Sequence, residues 1–247
     1  GDACDHYNRI DEDFGLMKDL GVKGYRFSIE WSRIEPNRDE YDQDAIDHYH
    51  YEIDQLLASG IQPMVTIHHF SQPKWFDKLG GFEQETNIPY FLNYAVKIFE
   101  EYSDKVQMWC TFNECNIYVT NGWISGLFPP GKRMDSMAGV VFANLMKAHV
   151  ACYRKLKALP NGLFCQIGLV HNMTQIDCLR PWHPLDRIFS KMLNYNFSET
   201  TVNFMKTGVF DFWLPFISKA YYSDPQAPQC NDFVGLNYYS HTSLKFE

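Results

Sequence analysis

The sequence predicts parallel β-strands covered by helices and arranged as a (β/α) barrel. Three observations carry this. Short apolar runs alternate with longer amphipathic segments along the whole chain. Several of the runs are apolar on both faces, which suits parallel strands buried beneath helices. Neither G-x-G-x-x-G nor G-x-x-x-x-G-K occurs, so the phosphate loop typical of a doubly wound sheet is missing. With 247 residues, 45% of them hydrophobic, the chain is long enough to bury one large core. Barrels of this size often form a single domain, so residues 1–247 are read as one.

The elements follow in order. GYRFSI (24–29) reads as a strand, and residues 41–60 as a helix with Ile46, Tyr49, Ile53 and Leu56/Leu57 at helical spacing and Gly60 at its C-terminal cap. QPMVTIHHF (62–70) is the next strand, and residues 88–104 the next helix, with Pro89 in its first turn. VQMWCTFNE (106–114) is a third strand, followed by the Gly/Pro-rich loop NGWISGLFPPGK. A long helix (137–157) leads to the strand CQIGLVHN (165–172). A helical stretch (187–208) and an irregular segment then precede a last strand, DFVGLNYYS (232–240). That makes five strands, where a closed barrel of this type has eight.

Composition excludes several functions. A formal net charge of −8 and the lack of any Lys/Arg cluster argue against nucleic-acid binding. No apolar run is long enough to span a membrane, and no signal peptide is visible, so a cytoplasmic location is expected. The seven cysteines include no C-x-x-C pair and no zinc-ligand spacing, and they are read as free thiols in a reducing compartment. The sequons NMT at Asn172 and NFS at Asn196 are then chance matches. No metal or other cofactor is expected. His68 and His69 are strand neighbours on opposite faces, and His48 and His50, two apart on a helix, do not share one either.

Polar residues recur at or near the carboxyl ends of successive strands: Arg26, His68/His69, Asn113/Glu114, His171/Asn172 and Asn237/Tyr239. In a parallel barrel those ends converge on one mouth, where active sites are built. Each has a simpler reading beside this one. Arg26 also suits pairing with a carboxylate at the barrel base, and His171 and Asn172 are read as packing residues. Asn113 and Glu114 both face inward only if one of them sits in a bend or bulge. The aromatics near strand ends (Trp31, Phe70, Trp75, Trp109, Phe112, Trp123, Tyr238 and Tyr239) suit core packing as well as the walls of a ligand pocket. A carboxyl partly withdrawn from water, beside amide, imidazole and phenol groups, suits proton donation to a neutral, hydroxyl-rich ligand. These residues point to a hydrolase acting on a polar, uncharged substrate.

Four ordered motifs, YRFSIEWSRIEP (25–36), VTIHHFSQPKWF (65–76), TFNECN (111–116) and DFVGLNYYS (232–240), together resemble glycoside hydrolase family 1. ACDHYNRIDEDFGLMKDLGVKGYRFSI resembles the family's approach to its second strand. The resemblance implies a TIM (β/α)8 barrel of which about strands 2 to 6 are present. It implies retaining hydrolysis of β-glycosides by two glutamates, with a small carbohydrate as the substrate. Glu114 then matches the acid/base, Asn113 the amide that binds the sugar 2-hydroxyl, and His69, with Phe70 beside it, the sugar-binding histidine segment. Arg26 matches the arginine beneath the nucleophile, and Asn237 and Tyr239 the pair near it. The family places Pro after its acid/base, where this chain has Cys115, a change that frees a backbone N–H. The family's first strand, its nucleophile motif and its eighth strand have no counterpart in residues 1–247, so the remainder of the barrel is expected as a partner. The alternative implied by that shortfall is a non-catalytic sugar-binding or interaction module.

Overall fold

The computed structural model describes residues 4–246. Its elements are α1 (Ile10–Leu20), β1 (Gly24–Ser28), α2 (Trp31–Ile34), α3 (Gln43–Ala58), β2 (Gln62–His68), α4 (Lys74–Lys78), α5 (Ile88–Tyr102) and β3 (Met108–Asn113). They continue with α6 (Cys115–Val119), α7 (Ala138–Lys157), β4 (Gln166–Asn172), β5 (Gln175–Cys178), α8 (Pro184–Asn194), α9 (Thr200–Thr207), β6 (Val209–Leu214), β7 (Ser218–Ser223), β8 (Phe233–Asn237) and β9 (His241–Leu244). The five predicted strands form one parallel sheet in the order β1-β2-β3-β4-β8. Among the described residues β1 and β8 pair on one side only.

The predicted helix spacing is realised in α3, which buries Ile46, Tyr49, Ile53 and Leu56; Asp42 caps its start, accepting from the Ala45 N–H, and Gly60 follows its end at φ +69°. Between helices and sheet lies an aromatic layer. Trp31 stacks on Tyr94 with centroids 5.0 Å apart, and Phe91 stacks on Phe112 at 4.7 Å. The Tyr94 hydroxyl donates towards the carbonyls of Ile29 (2.8 Å) and Ile67 (3.2 Å), tying the carboxyl ends of β1 and β2 to α5. Trp31, Trp109 and Phe112 are fully buried and Trp123 nearly so, so packing, rather than a ligand wall, accounts for half of the eight strand-end aromatics.

The structure departs from the sequence reading where tertiary contacts override local pattern. Residues 209–223, expected to be irregular, form the antiparallel hairpin β6–β7. Its Phe210, Phe212 and Leu214 are buried, and Phe210 and Phe212 lie against Phe142 of α7. Alternate residues face out, a period-2 pattern that fits a half-buried hairpin. The expected helix over 187–208 is two helices joined by a π-helical turn at Tyr195–Glu199. Strand 62–70 ends at His68 because Phe70 adopts φ +72°. The last strand stops at Asn237, and the chain resumes as β9 beside β5, so the β4–β8 pairing continues as a separate two-stranded ribbon.

β4 and β8 approach closely. A Cβ on Gly168 would lie 2.2 Å from the Phe233 carbonyl oxygen, so only glycine fits there. The seven thiols are unpaired. Asn172 and Asn196 are both buried, which keeps either sequon out of reach of glycosylation. No helix among the described residues is long and apolar enough to cross a membrane.

His68 is buried against Phe82, Phe112 and Tyr118, with its Nε2 3.2 Å from Gln72 Oε1. Burial lowers its pKa from 6.5 to about 4. Between those values the unfolded chain binds one proton more than the folded one, so stability is full above pH 6.5 and falls as the pH drops. The expected loss down to pH 4 is about 3 kcal/mol. In guanidinium titrations across that range, His68→Gln is expected to flatten this part of the pH dependence.

Candidate active site

β3 supplies the centre of the site. Its pairing with β4 shifts register between Cys110 and Asn113, and Glu114 follows in the left-handed region at φ 48°, ψ 61°. That conformation costs a non-glycine residue about 1–2 kcal/mol. It is held by the Glu114 N–H, which donates to the Val170 carbonyl at 2.7 Å, and by α6, which begins at Cys115. The bend lets two consecutive side chains, Asn113 and Glu114, serve one cluster, as the adjacent pair required. Cys115, in the position of the family's proline, is buried in the core, and burial pushes its thiol pKa well up, so it is inert packing.

Donor and acceptor roles in the cluster follow from one residue. Arg26 can only donate, and its Nη1 lies 3.1 Å from Asn113 Oδ1, which identifies that atom as the amide oxygen. Asn237 Nδ2 lies 3.3 Å from the same oxygen and must also be a donor there. The same Nδ2 therefore donates to Glu114 Oε1, at 2.6 Å. A second amide, Asn172 Nδ2, reaches Oε1 at 3.3 Å. Oε1 is thus held by two donors. Among the described residues Oε2 accepts no hydrogen bond, and it is not one of the enclosed unpartnered atoms, so it keeps some contact with solvent. The Asn113 amide nitrogen is open in the same way.

The predicted residues separate into two groups. Arg26, Asn113, Glu114 and Asn237 form one hydrogen-bonded cluster. His69 stands next to it, lining a pocket of about 290 Å³ with Arg26, Thr66 and Ser28. Its pKa is lowered by burial first and by Arg26 second, with Glu114 opposing, which leaves a neutral imidazole suited to hydroxyl groups. Phe70 is half-buried against His69 and Phe128 at the edge of the mouth. Tyr239 is not in the cluster: it is 75% exposed on the turn between β8 and β9 and bonds to none of these residues. No carboxylate among the described residues pairs with Arg26, so its contact with Asn113, not a barrel-base ion pair, is what the fold provides. No group of three or more His, Cys, Asp or Glu side chains among the described residues is placed to hold a metal ion.

Asn172 corrects the sequence reading. His171 does pack, its Nε2 donating to the Ser198 carbonyl at 2.8 Å. Asn172, one residue on, turns to the opposite face and meets Glu114. Its register partner across β4–β8 is Asn237, so two amides end adjacent strands at one level. The only signal in the sequence was that shared position at two strand ends.

The chain is thus a parallel (β/α) sheet with a carboxyl group and amides at its carboxyl edge, and comparison with known proteins makes its class specific. The profile of glycosyl hydrolase family 1 matches residues 1–246, and the chain belongs to that family. It is 34% identical over 253 residues to beta-glucosidase A of Thermotoga maritima, an alignment covering 99% of this chain and 56% of that protein. It is 32% identical to a 6-phospho-beta-galactosidase of Clostridium acetobutylicum, over 98% of this chain and 54% of that protein. Among solved structures, the beta-glycosidase from Pyrococcus horikoshii superposes with a TM-score of 0.85 at 35% identity, over 96% of this chain and 53% of that one. The chain thus spans about half the length of these relatives, and its five parallel strands are the corresponding part of a TIM barrel.

The double clamp on Oε1 predicts an asymmetry between two substitutions. Glu114→Gln keeps a carbonyl oxygen for both donors and is expected to stay within about 1 kcal/mol of the parent. Glu114→Leu leaves the buried Asn172 amide donor unpaired and takes from the half-buried Asn237 amide the shorter of its two acceptors, and it is expected to cost about 1–3 kcal/mol. Denaturant midpoints at pH 7 measure both.

Proposed function

We propose that this chain carries the acid/base part of a retaining β-glycosidase of the β-glucosidase type, with the nucleophilic glutamate contributed from outside residues 1–247. The observation that carries the reading is the divided role of the Glu114 carboxyl: Oε1 is clamped by two amides, while Oε2 is open beside the free Asn113 amide nitrogen. A proton donor and a hydroxyl-binding group thus stand side by side at the mouth. Names of relatives, beta-glucosidase A and 6-phospho-beta-galactosidase, support a β-linked sugar and leave its identity and phosphorylation open.

In this reading Glu114 protonates the glycosidic oxygen as the bond to the leaving group breaks, and a carboxylate on the opposite side of the sugar captures the anomeric carbon. Glu114, now ionised, then takes a proton from the water that releases the sugar. Asn113 Nδ2 donates to a ring hydroxyl, and the neutral His69 contributes a donor or an acceptor to the same sugar. Arg26 holds Asn113 in the orientation that presents its amino group outwards.

The test is rapid-mixing hydrolysis of p-nitrophenyl β-glucoside by the complete protein. The expected result is a burst of nitrophenol followed by a slower steady state. Glu114→Gln is expected to reduce steady-state turnover by about 10²–10⁴-fold. Sugar binding by calorimetry with no turnover would instead support a non-catalytic binding module.

A further inference from the structure

We infer that Asn172 is a positioning residue for the acid/base, and that with Asn237 it assigns the exchangeable proton of Glu114 to Oε2; this rests on the glycosidase reading above. Asn172 is 4% exposed, on the last residue of β4. Its amide is oriented from behind: the Thr174 hydroxyl donates to Asn172 Oδ1 at 3.1 Å, so Nδ2 is the group left facing Glu114 Oε1 at 3.3 Å. Thr174 is itself anchored, its N–H and carbonyl both bonding the Ser198 hydroxyl at 3.3 and 3.0 Å. The Asn172 backbone is pinned as well, because Asn116 Nδ2 donates to its carbonyl at 2.9 Å. A continuous path therefore runs from the π-helical turn at Tyr195–Glu199 to the carboxyl group.

The consequence concerns where the proton sits. An oxygen that accepts from two N–H donors is a poor place for a hydroxyl hydrogen, which would be aimed at other hydrogens. When Glu114 is protonated, the proton therefore rides on Oε2, the oxygen that accepts from no donor among the described residues. Oε2 transfers that proton to the leaving group, and the electron pair of the broken glycosidic bond stays on the departing oxygen. The carboxylate left behind is stabilised at Oε1 by Asn172 and Asn237 as charge develops on it. Removing Asn172 should therefore impair proton transfer and leave sugar binding largely intact.

The experiment is kcat/KM of the complete protein on aryl β-glucosides graded in leaving-group pKa, from 2,4-dinitrophenyl to phenyl. A dinitrophenolate leaves without a proton, whereas phenolate needs one. Asn172→Ala is expected to lose about 10–100-fold on the phenyl glucoside and less than about threefold on the dinitrophenyl glucoside, with KM nearly unchanged. Thr174→Val keeps the volume while removing the hydroxyl that orients the amide, so it tests the same role if Asn172→Ala does not fold. The same leaving-group dependence, at about three- to tenfold, is expected from it. Equal losses along the series, or no loss, in the folded variants would overturn the positioning role while the glycosidase reading stands. No turnover of any glucoside by the unaltered protein would overturn both.

Discussion

The site depends on strand register at the carboxyl edge of the sheet. β3, β4 and β8 are parallel, and their carboxyl ends must lie side by side for four side chains to meet. Asn172 and Asn237 are level because they are register partners. Asn113 ends β3 opposite Val170, two residues before Asn172 on β4, after the shift between Cys110 and Asn113, and Glu114 follows in a left-handed backbone that its N–H bond to Val170 holds in place. Because side chains alternate along a strand, slipping β8 by one residue would turn Asn237 away from the cluster. Gly168 permits the close β4–β8 approach that sets this register.

Once the register is set, a single donor-only group orders the polarity of the cluster. The Arg26 guanidinium makes Asn113 Oδ1 an acceptor, this makes the Asn237 nitrogen a donor, and that donor makes Glu114 Oε1 an acceptor. What is left without a partner among the described residues is the amide nitrogen of Asn113 and one carboxyl oxygen of Glu114. The buried amides thus do two jobs, satisfying each other and dividing the carboxyl into a held oxygen and an open one. A half-satisfied network in this position would be costly, which ties the geometry of the site to the stability of the sheet.

The aromatic layer beneath serves this arrangement indirectly. Tyr94 joins the ends of β1 and β2 through two backbone carbonyls, and the stacked rings of Trp31, Phe91 and Phe112 fill the space between these strands and α5. Dense packing of large rings resists small displacements, so the strand ends that carry Arg26, His69 and Asn113 are fixed relative to one another. A concavity of about 720 Å³ between α8 and the β6–β7 hairpin, lined by Lys191, Met192, Trp213 and Tyr221 among others, contains none of these residues. Size alone does not locate the chemistry in this fold.

Local pattern determined a good deal by itself. The order of the five parallel strands and the main helices between them, the buried face of α3, the parallel character of the sheet and the candidacy of Arg26, His69, Asn113, Glu114 and Asn237 as strand-end polar groups were legible in the sequence, because period, capping and strand-end position are properties of contiguous residues. The need for a bend at Asn113–Glu114 was legible for the same reason. Three features required the tertiary structure. The β6–β7 hairpin forms because Phe210 and Phe212 find Phe142 of α7, a partner about 70 residues away that local period cannot specify. Tyr239 leaves the cluster because the chain turns after Asn237 to pair β9 with β5. Asn172 joins it because β8, distant in sequence, pairs with β4 and places Asn237 opposite. Contiguous sequence encodes what each strand end offers, while the register between distant strands decides which of those groups share a proton.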